Sequence, residues 1–455
     1  MAERTDMTSH RNETTPLLGA NGNGSANHIT LHNILFNKHH TPGMESDNRL
    51  VRSAANTMHV TKVTLLSNYV NVLLVFVPIG IIAGLLDWDP TTVFILNFFA
   101  IVPLAAVLSF ATEEISMKLG QTLGGLLNAT FGNAVELIVS IVALKNGEIR
   151  IVQSSMLGSV LSNILLVLGC CFFAGGIKNT RSGLASGIEQ GFNATVASTM
   201  CSLMTMASAS LIIPATLYAV IRNSGEDKQL IHENVLTLSR GTSVILLILY
   251  VMYLVFQLKT HATLFDAEAQ AEGEEEEVPV MGPWAAAAVL IVVTLLVAVC
   301  AEYLVDSIDA MVEKVNISKT FVGLILLPIV GNAAEHVTAV VVAVKDKMDL
   351  ALGVAIGSSM QIALLVTPFL VILGWIIGQD MTLKFETFET VVFFVSILVV
   401  TYVIQDGKSN YLEGAMLIGL YLIIALAFLV YPDTLTDSHI PSLLASKVAG
   451  VFATS

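Results

Sequence analysis

Two short segments put a carboxylate and an amide where they can act together. Gly132-Asn133-Ala134-Val135-Glu136 recurs 199 residues later as Gly331-Asn332-Ala333-Ala334-Glu335. In each, Asn and Glu stand three apart, so on a helix both side chains leave the same face, roughly 5 Å from one another. The leading glycine lets a helix break or approach a neighbour closely. Brought face to face, the motifs offer two carboxylates and two amide oxygens, a hard, all-oxygen environment of charge −2. Ca²⁺ suits such a set, because it takes about 6–8 oxygens and accepts carbonyls and waters among them. Soft metals are disfavoured, since neither motif holds Cys or Met. Mg²⁺ gives up water reluctantly; Mn²⁺ stays open. Gly132, Asn133, Glu136, Gly331, Asn332 and Glu335 are therefore the candidate cation site. Two buried acids facing each other cannot both stay charged cheaply without a cation. They take up protons from an acidic side, and a cation arriving from the other side expels them. Competition for one pair of carboxylates gives obligatory exchange without a separate proton path.

Polar residues near the motifs mark a candidate ion and proton pathway. The 199-residue offset also carries Gly158-Ser159 onto Gly357-Ser358, Gly124 onto Gly323 and Leu165 onto Leu364, without a gap. Ser159, Ser162 and Asn163 in one half then match Ser358, Ser359 and Gln361 in the other as hydroxyls and amides at a close helix crossing, either packing contacts or pathway lining. His336 replaces Leu137 beside the second acid, where a histidine biases protonation or bonds across helices. Glu113 and Glu302 look equivalent if the second half carries an insertion after Glu302, and each either lines the pathway or is a helix-end charge near headgroups. Glu114, beside Glu113, reads more readily as such a helix-end charge.

These residues must be held by membrane helices. Mean hydropathy is +0.75, 54% of residues are hydrophobic and only 13% are charged, a composition that excludes an ordinary soluble domain. Apolar runs near 64–86, 91–110, 121–143, 153–174, 192–220, 241–258, 283–306, 320–343, 351–376, 387–404 and 411–431 read as eleven spans of an all-α polytopic membrane protein. The first stands apart and each repeat has five. An odd number per half means the second half enters from the opposite side, giving inverted-topology repeats suited to alternating access. The expected organisation is a disordered cytosolic tail at 1–60, a first span at 61–90, a first repeat at 91–258, an acidic linker at 259–282, a second repeat at 283–431 and a C-terminal tail at 432–455. The basic residues of the first tail favour a cytosolic N-terminus.

The remaining features bound the partners. The net charge of −14 owes much to Glu272, Glu274, Glu275, Glu276 and Glu277, which make the linker a solvated connector or a regulatory segment that attracts cations. No basic patch suggests nucleic acid. Cys170, Cys171, Cys201 and Cys300 lie in apolar runs without metal-binding spacing. No nucleophile–base pair or nucleotide motif suggests an enzyme or a cofactor, so the driving force is an ion gradient. Glu13, Leu17 and Leu18 fit an acidic dileucine signal, which would bring a sorting adaptor to the N-terminal tail. Oligomeric state is left open.

At both motifs, at Gly357-Ser358-Ser359-Met360-Gln361 and in the acidic linker, the chain resembles the cation/proton exchanger family, the vacuolar Ca²⁺/H⁺ antiporters of fungi and plants. The resemblance covers about residues 60–431. It implies an eleven-span fold with ten spans in the exchanger core, Glu136 and Glu335 as central acids, and a hydrophilic lining of Asn133, Asn332, Ser162, Gln361, Glu113 and Glu302. It also implies proton-driven removal of cytosolic Ca²⁺ into an acidic vacuole. The alternatives are a Na⁺/Ca²⁺ exchanger on the same architecture and a cation channel. The first usually shows a Ser/Thr-rich, proline-containing motif where this chain has Asn-Ala-x-Glu; paired acids in inverted repeats argue against the second.

Overall fold

Runs of Leu, Ile, Val, Ala and Phe supply no side chain that can satisfy a backbone amide, so in an apolar setting the backbone bonds to itself, as helices. The computed structural model describes residues 41, 46–119, 121–180, 189–222, 228–265 and 279–431. It divides into two units, Met1–Leu66 and Ser67–Ser455. In the first, helix α1 (Arg49–Leu66) begins inside the stretch expected to be tail. Asn48 accepts the Leu50 amide at 3.0 Å at its start, and the segment contains no Gly or Pro to stop a helix. Thr41 Oγ1 accepts from Lys62 Nζ at 2.9 Å and pairs with His59 Nδ1 at 3.0 Å.

The second unit opens with a 3₁₀ turn (Tyr69–Val75) and α2 (Phe76–Leu85), followed by α3 (Pro90–Leu119), α4 (Gln121–Phe131), α5 (Ala134–Lys145), α6 (Ile149–Leu161) and α7 (Leu168–Thr180). Next come strand β1 (Gln190–Gly191), α8 (Ala194–Arg222), α9 (Lys228–Val255), α10 (Pro283–Asp306), α11 (Ile308–Val315), α12 (Lys319–Phe321), α13 (Leu327–Gly331), α14 (Ala333–Val344), α15 (Met348–Leu352), α16 (Ser358–Gln361), α17 (Thr367–Ile377), α18 (Thr387–Val403), strand β2 (Lys408–Ser409) and α19 (Tyr411–Leu429). The two-residue antiparallel pair, Gln190 opposite Ser409, departs from an all-helical build. Among the described residues, seven helices are long and apolar enough to cross a membrane, or up to nine if each of two bent helix pairs is one span. The stretches expected as third and eighth spans are not continuous; each is broken at its Gly-Asn motif.

The two halves share local detail. Two residues beyond the end of α5 lies Gly147 (φ 79°), and two beyond the end of α14, 199 residues later, lies Asp346 (φ 65°), a left-handed position an Asp tolerates. A π-turn occupies Ser162–Val167 in the first half and another Ile362–Val366 in the second, at nearly the same offset. Close crossing of α6 with the π-turn Val322–Leu326 depends on small residues. A Cβ on Gly158 would strike the Leu324 carbonyl, and one on Gly323 would strike Ser154.

Candidate cation site

Asn133 (φ −99°, ψ 23°) separates α4 from α5, and Asn332 (φ −98°, ψ 4°) separates α13 from α14. Both sit in the sparsely populated bridge region common at functional sites. Each break starts a new helix whose first turn carries an acid, Glu136 or Glu335. The positive end of each helix thus lies beside a carboxylate and favours its charged form.

The motifs meet reciprocally. A Cβ on Gly331 would lie 2.8 Å from Glu136 Oε1, and one on Gly132 would lie 3.4 Å from Glu335 Oε1. Gly331 therefore makes room for Glu136, while Gly132 lies at ordinary contact distance from Glu335 and its missing side chain spares the Asn128 carbonyl, 2.9 Å from where a Cβ would stand. Gly132 is exposed, Gly331 and Glu335 are half-buried, and Asn133, Glu136 and Asn332 are buried. Asn133 Nδ2 donates to Gln361 Oε1 at 2.8 Å, while Asn133 Oδ1 accepts from Ser358 Oγ at 2.8 Å. Asn163 Nδ2 donates to Ser358 Oγ at 3.2 Å and extends the chain of bonds. Asn332 behaves differently: its Nδ2 donates to the Pro328 carbonyl of its own chain segment at 3.2 Å. Among the described residues, Asn332 Oδ1, both Glu136 oxygens and Glu335 Oε2 are buried without a hydrogen-bond partner. Buried oxygens of this kind are normally satisfied; these four, all in the two motifs, are hard acceptors left without a partner among the described residues.

Of the expected pathway residues, Ser162 approaches His336 Nε2 at 3.5 Å, and Ser159, Ser162, Asn163 and Ser358 are buried around the motifs. Gln361 is half-buried. Glu113 and Glu302 lie on exposed faces of α3 and α10, outside this buried cluster. Glu272, Glu274, Glu275, Glu276 and Glu277 of the linker, and Glu13, Leu17 and Leu18 of the tail, lie outside the described residues.

Three features escape a sequence reading. Glu114, read as a helix-end charge among headgroups, is only 2% exposed and accepts the amides of Val280 and Met281 at 3.2 and 2.9 Å, just ahead of α10. Ser140 sits one turn beyond Glu136 with its hydroxyl buried. Glu389, fully buried, accepts Arg150 Nη1 at 2.9 Å and Nη2 at 2.6 Å, and Nη2 also reaches Thr320 Oγ1 at 3.1 Å. The i, i+3 spacing signalled the Asn–Glu motifs; nothing in the spacing links Arg150 to Glu389.

A family model described as sodium/calcium exchanger protein matches residues 90–259 and 285–430. The chain is 54% identical to a vacuolar calcium ion transporter of Schizosaccharomyces pombe over 394 residues, covering 86% of this chain and 92% of that protein. It is 44% identical to a vacuolar cation/proton exchanger 3 of Oryza sativa subsp. japonica over 391 residues, covering 85% and 90%. Among solved structures, the Ca²⁺/H⁺ antiporter protein YfkE superposes with a TM-score of 0.65 at 36% identity, covering 79% of this chain and 98% of that one.

Proposed function

We infer that this chain, which belongs to the sodium/calcium exchanger protein family, is a transporter that exchanges Ca²⁺ for H⁺. One observation carries the reading: two closely similar helix breaks, 199 residues apart, each lie against the other's glutamate and, among the described residues, leave buried carboxylate and amide oxygens without partners. Ca²⁺ satisfies such oxygens, and protons neutralise the same carboxylates when the cation leaves. Since one pair of acids cannot hold both, release of either ion on one side follows arrival of the other. The names of the similar proteins, vacuolar calcium ion transporter and vacuolar cation/proton exchanger, support the same pair of ions and a vacuolar membrane.

On this reading the chain has eleven spans. The first stands alone, and the rest form two five-span repeats of opposite orientation, the third and eighth broken at Asn133 and Asn332. The N-terminus is cytosolic, the acidic linker lies at the cytosolic mouth, and a sorting adaptor reads Glu13, Leu17 and Leu18. Ser162, Gln361 and His336 line the approach to the acids.

The deciding experiment is Ca²⁺ uptake into proteoliposomes with an acidic interior, with and without a protonophore. Uptake that collapses with the pH gradient supports the exchange. Uptake indifferent to pH but dependent on internal Na⁺ replaces it with a sodium exchanger, and uptake driven by voltage alone replaces it with a channel.

A further inference from the structure

Beyond Glu136 the interior holds a small cavity of about 20 Å³, room for one water molecule. Glu136, Ser140, Ser155 and Ser159 supply its polar lining, and Leu304 and Leu327 wall it. Glu136 is 6% exposed and Ser140 1%, and among the described residues neither Glu136 oxygen nor the Ser140 hydroxyl has a hydrogen-bond partner. The remaining lining is apolar, so the cavity is a small gap in the packing with the unsatisfied Glu136 and Ser140 oxygens at its edge.

The elements around this cavity all lead to one end of the helix bundle. α5 runs from the site to Lys145, α6 starts at Ile149, α10 stops at Asp306, and the segment entering α13 starts at Lys319. Polar contacts join those four ends. Asn146 Nδ2 donates to Asp306 Oδ1 at 2.8 Å, and Lys319 Nζ bridges Asp309 at 2.5 Å and Glu148 at 3.3 Å. These side chains are solvent-accessible, so their contacts contribute little and re-form readily. The nearby Arg150–Glu389 pair is of another kind, because separating it strands a fully buried carboxylate.

We propose that this cavity is the closed half of the transport route, and that Asn146–Asp306 with Lys319–Asp309 is the latch across its mouth, opening while Arg150–Glu389 holds. Weak contacts belong where the molecule opens at every cycle, and a buried pair where it must not. Ser140 and Ser155 become route residues, exposed to solvent when the latch parts. The proposal rests on the Ca²⁺/H⁺ exchange reading.

The test uses the full chain in proteoliposomes that exchange Ca²⁺. Ser155→Cys is treated with a membrane-impermeant maleimide on each face in turn, and the parent protein gives the background of the four native cysteines. Labelling is expected from the face bearing Asn146 and Lys319 only, and about tenfold faster after Asp306→Asn and Asp309→Asn, a modest population shift. A second variant, Asn146→Cys with Asp306→Cys, is expected to cross-link, to stop exchange, and to recover with reductant. Labelling at the same rate with and without the latch acids overturns the proposal. So does a cross-linked protein that still exchanges, or a cysteine pair that never cross-links. Failure of the parent protein to exchange Ca²⁺ for H⁺ sinks the functional reading instead, and the labelling rates then judge the latch alone.

Discussion

The two halves of the site share a backbone and differ in how their side chains are employed. The breaks at Asn133 and Asn332 have φ of −99° and −98°, yet Asn133 spends both ends of its amide on Gln361 and Ser358, across the molecule. Asn332 donates its NH₂ to Pro328, and its carbonyl oxygen has no hydrogen-bond partner among the described residues. Glu136 is buried beside a serine-lined cavity, whereas Glu335 is half-buried beside His336. Duplication supplies symmetric carboxylates; the surroundings make the first asparagine a brace and leave the second available as a ligand.

The strongest way to break this comparison is to remove either acid. Glu136→Gln and Glu335→Gln should each lower Ca²⁺ transport by at least about 100-fold, roughly the 3 kcal/mol of a lost contact to a charged group. Retention of transport in either variant, measured as ⁴⁵Ca²⁺ uptake, would show that the halves are not both essential. Next in size is stabilisation by the ion. Because the buried motif oxygens lack partners among the described residues, Ca²⁺ at about 100 times its Kd should stabilise the protein by about 2.7 kcal/mol. Tm should rise accordingly and fall back on chelation, and the rise should vanish in Glu136→Gln. A Tm indifferent to Ca²⁺ would mean that these oxygens do not meet the ion.

The two asparagines separate brace from ligand. Asn133→Ala should lower Tm, since it deletes two buried hydrogen bonds at about 1 kcal/mol each. Asn332→Ala should leave Tm nearly unchanged and weaken Ca²⁺ binding about tenfold, as one lost oxygen ligand would. Calorimetry on the pair decides the matter, and the opposite pattern would reverse the assignment. The smallest effect belongs to Ser162→Ala. Its contact with His336 is 3.5 Å long, at the limit of a hydrogen bond. A change of less than about threefold in uptake is expected, and a larger loss would place this serine among the ligands.

The sequence made the chemistry legible because its signals are local or repeated. Asn and Glu three apart, and four of the same five residues 199 positions later, singled out the acids and amides and a glycine at which a helix could break. Ser358 and Gln361 were legible for the same reason, since they lie in a matched segment. Contacts between residues far apart in the chain were not. Asn146 and Asp306 are 160 apart and Arg150 and Glu389 are 239 apart, and no periodicity links them. Ser140 was invisible inside an apolar run, where a lone serine ordinarily bonds its own helix. Residues 49–60 are polar enough to read as tail, yet they fall in the helix Arg49–Leu66, and nothing in that segment stops a helix.

The meeting of the two motifs also bears on how alike they must stay. Gly331 makes room for Glu136 and Gly132 lies in contact with Glu335, so each motif meets the acid of the other half. The π-turns at Ser162–Val167 and Ile362–Val366 fall at nearly matching places in the two halves, so the likeness extends beyond the acidic motifs. Two motifs that must meet in one site need not stay alike once a single chain carries both, and Asn133 and Asn332 have taken up different tasks.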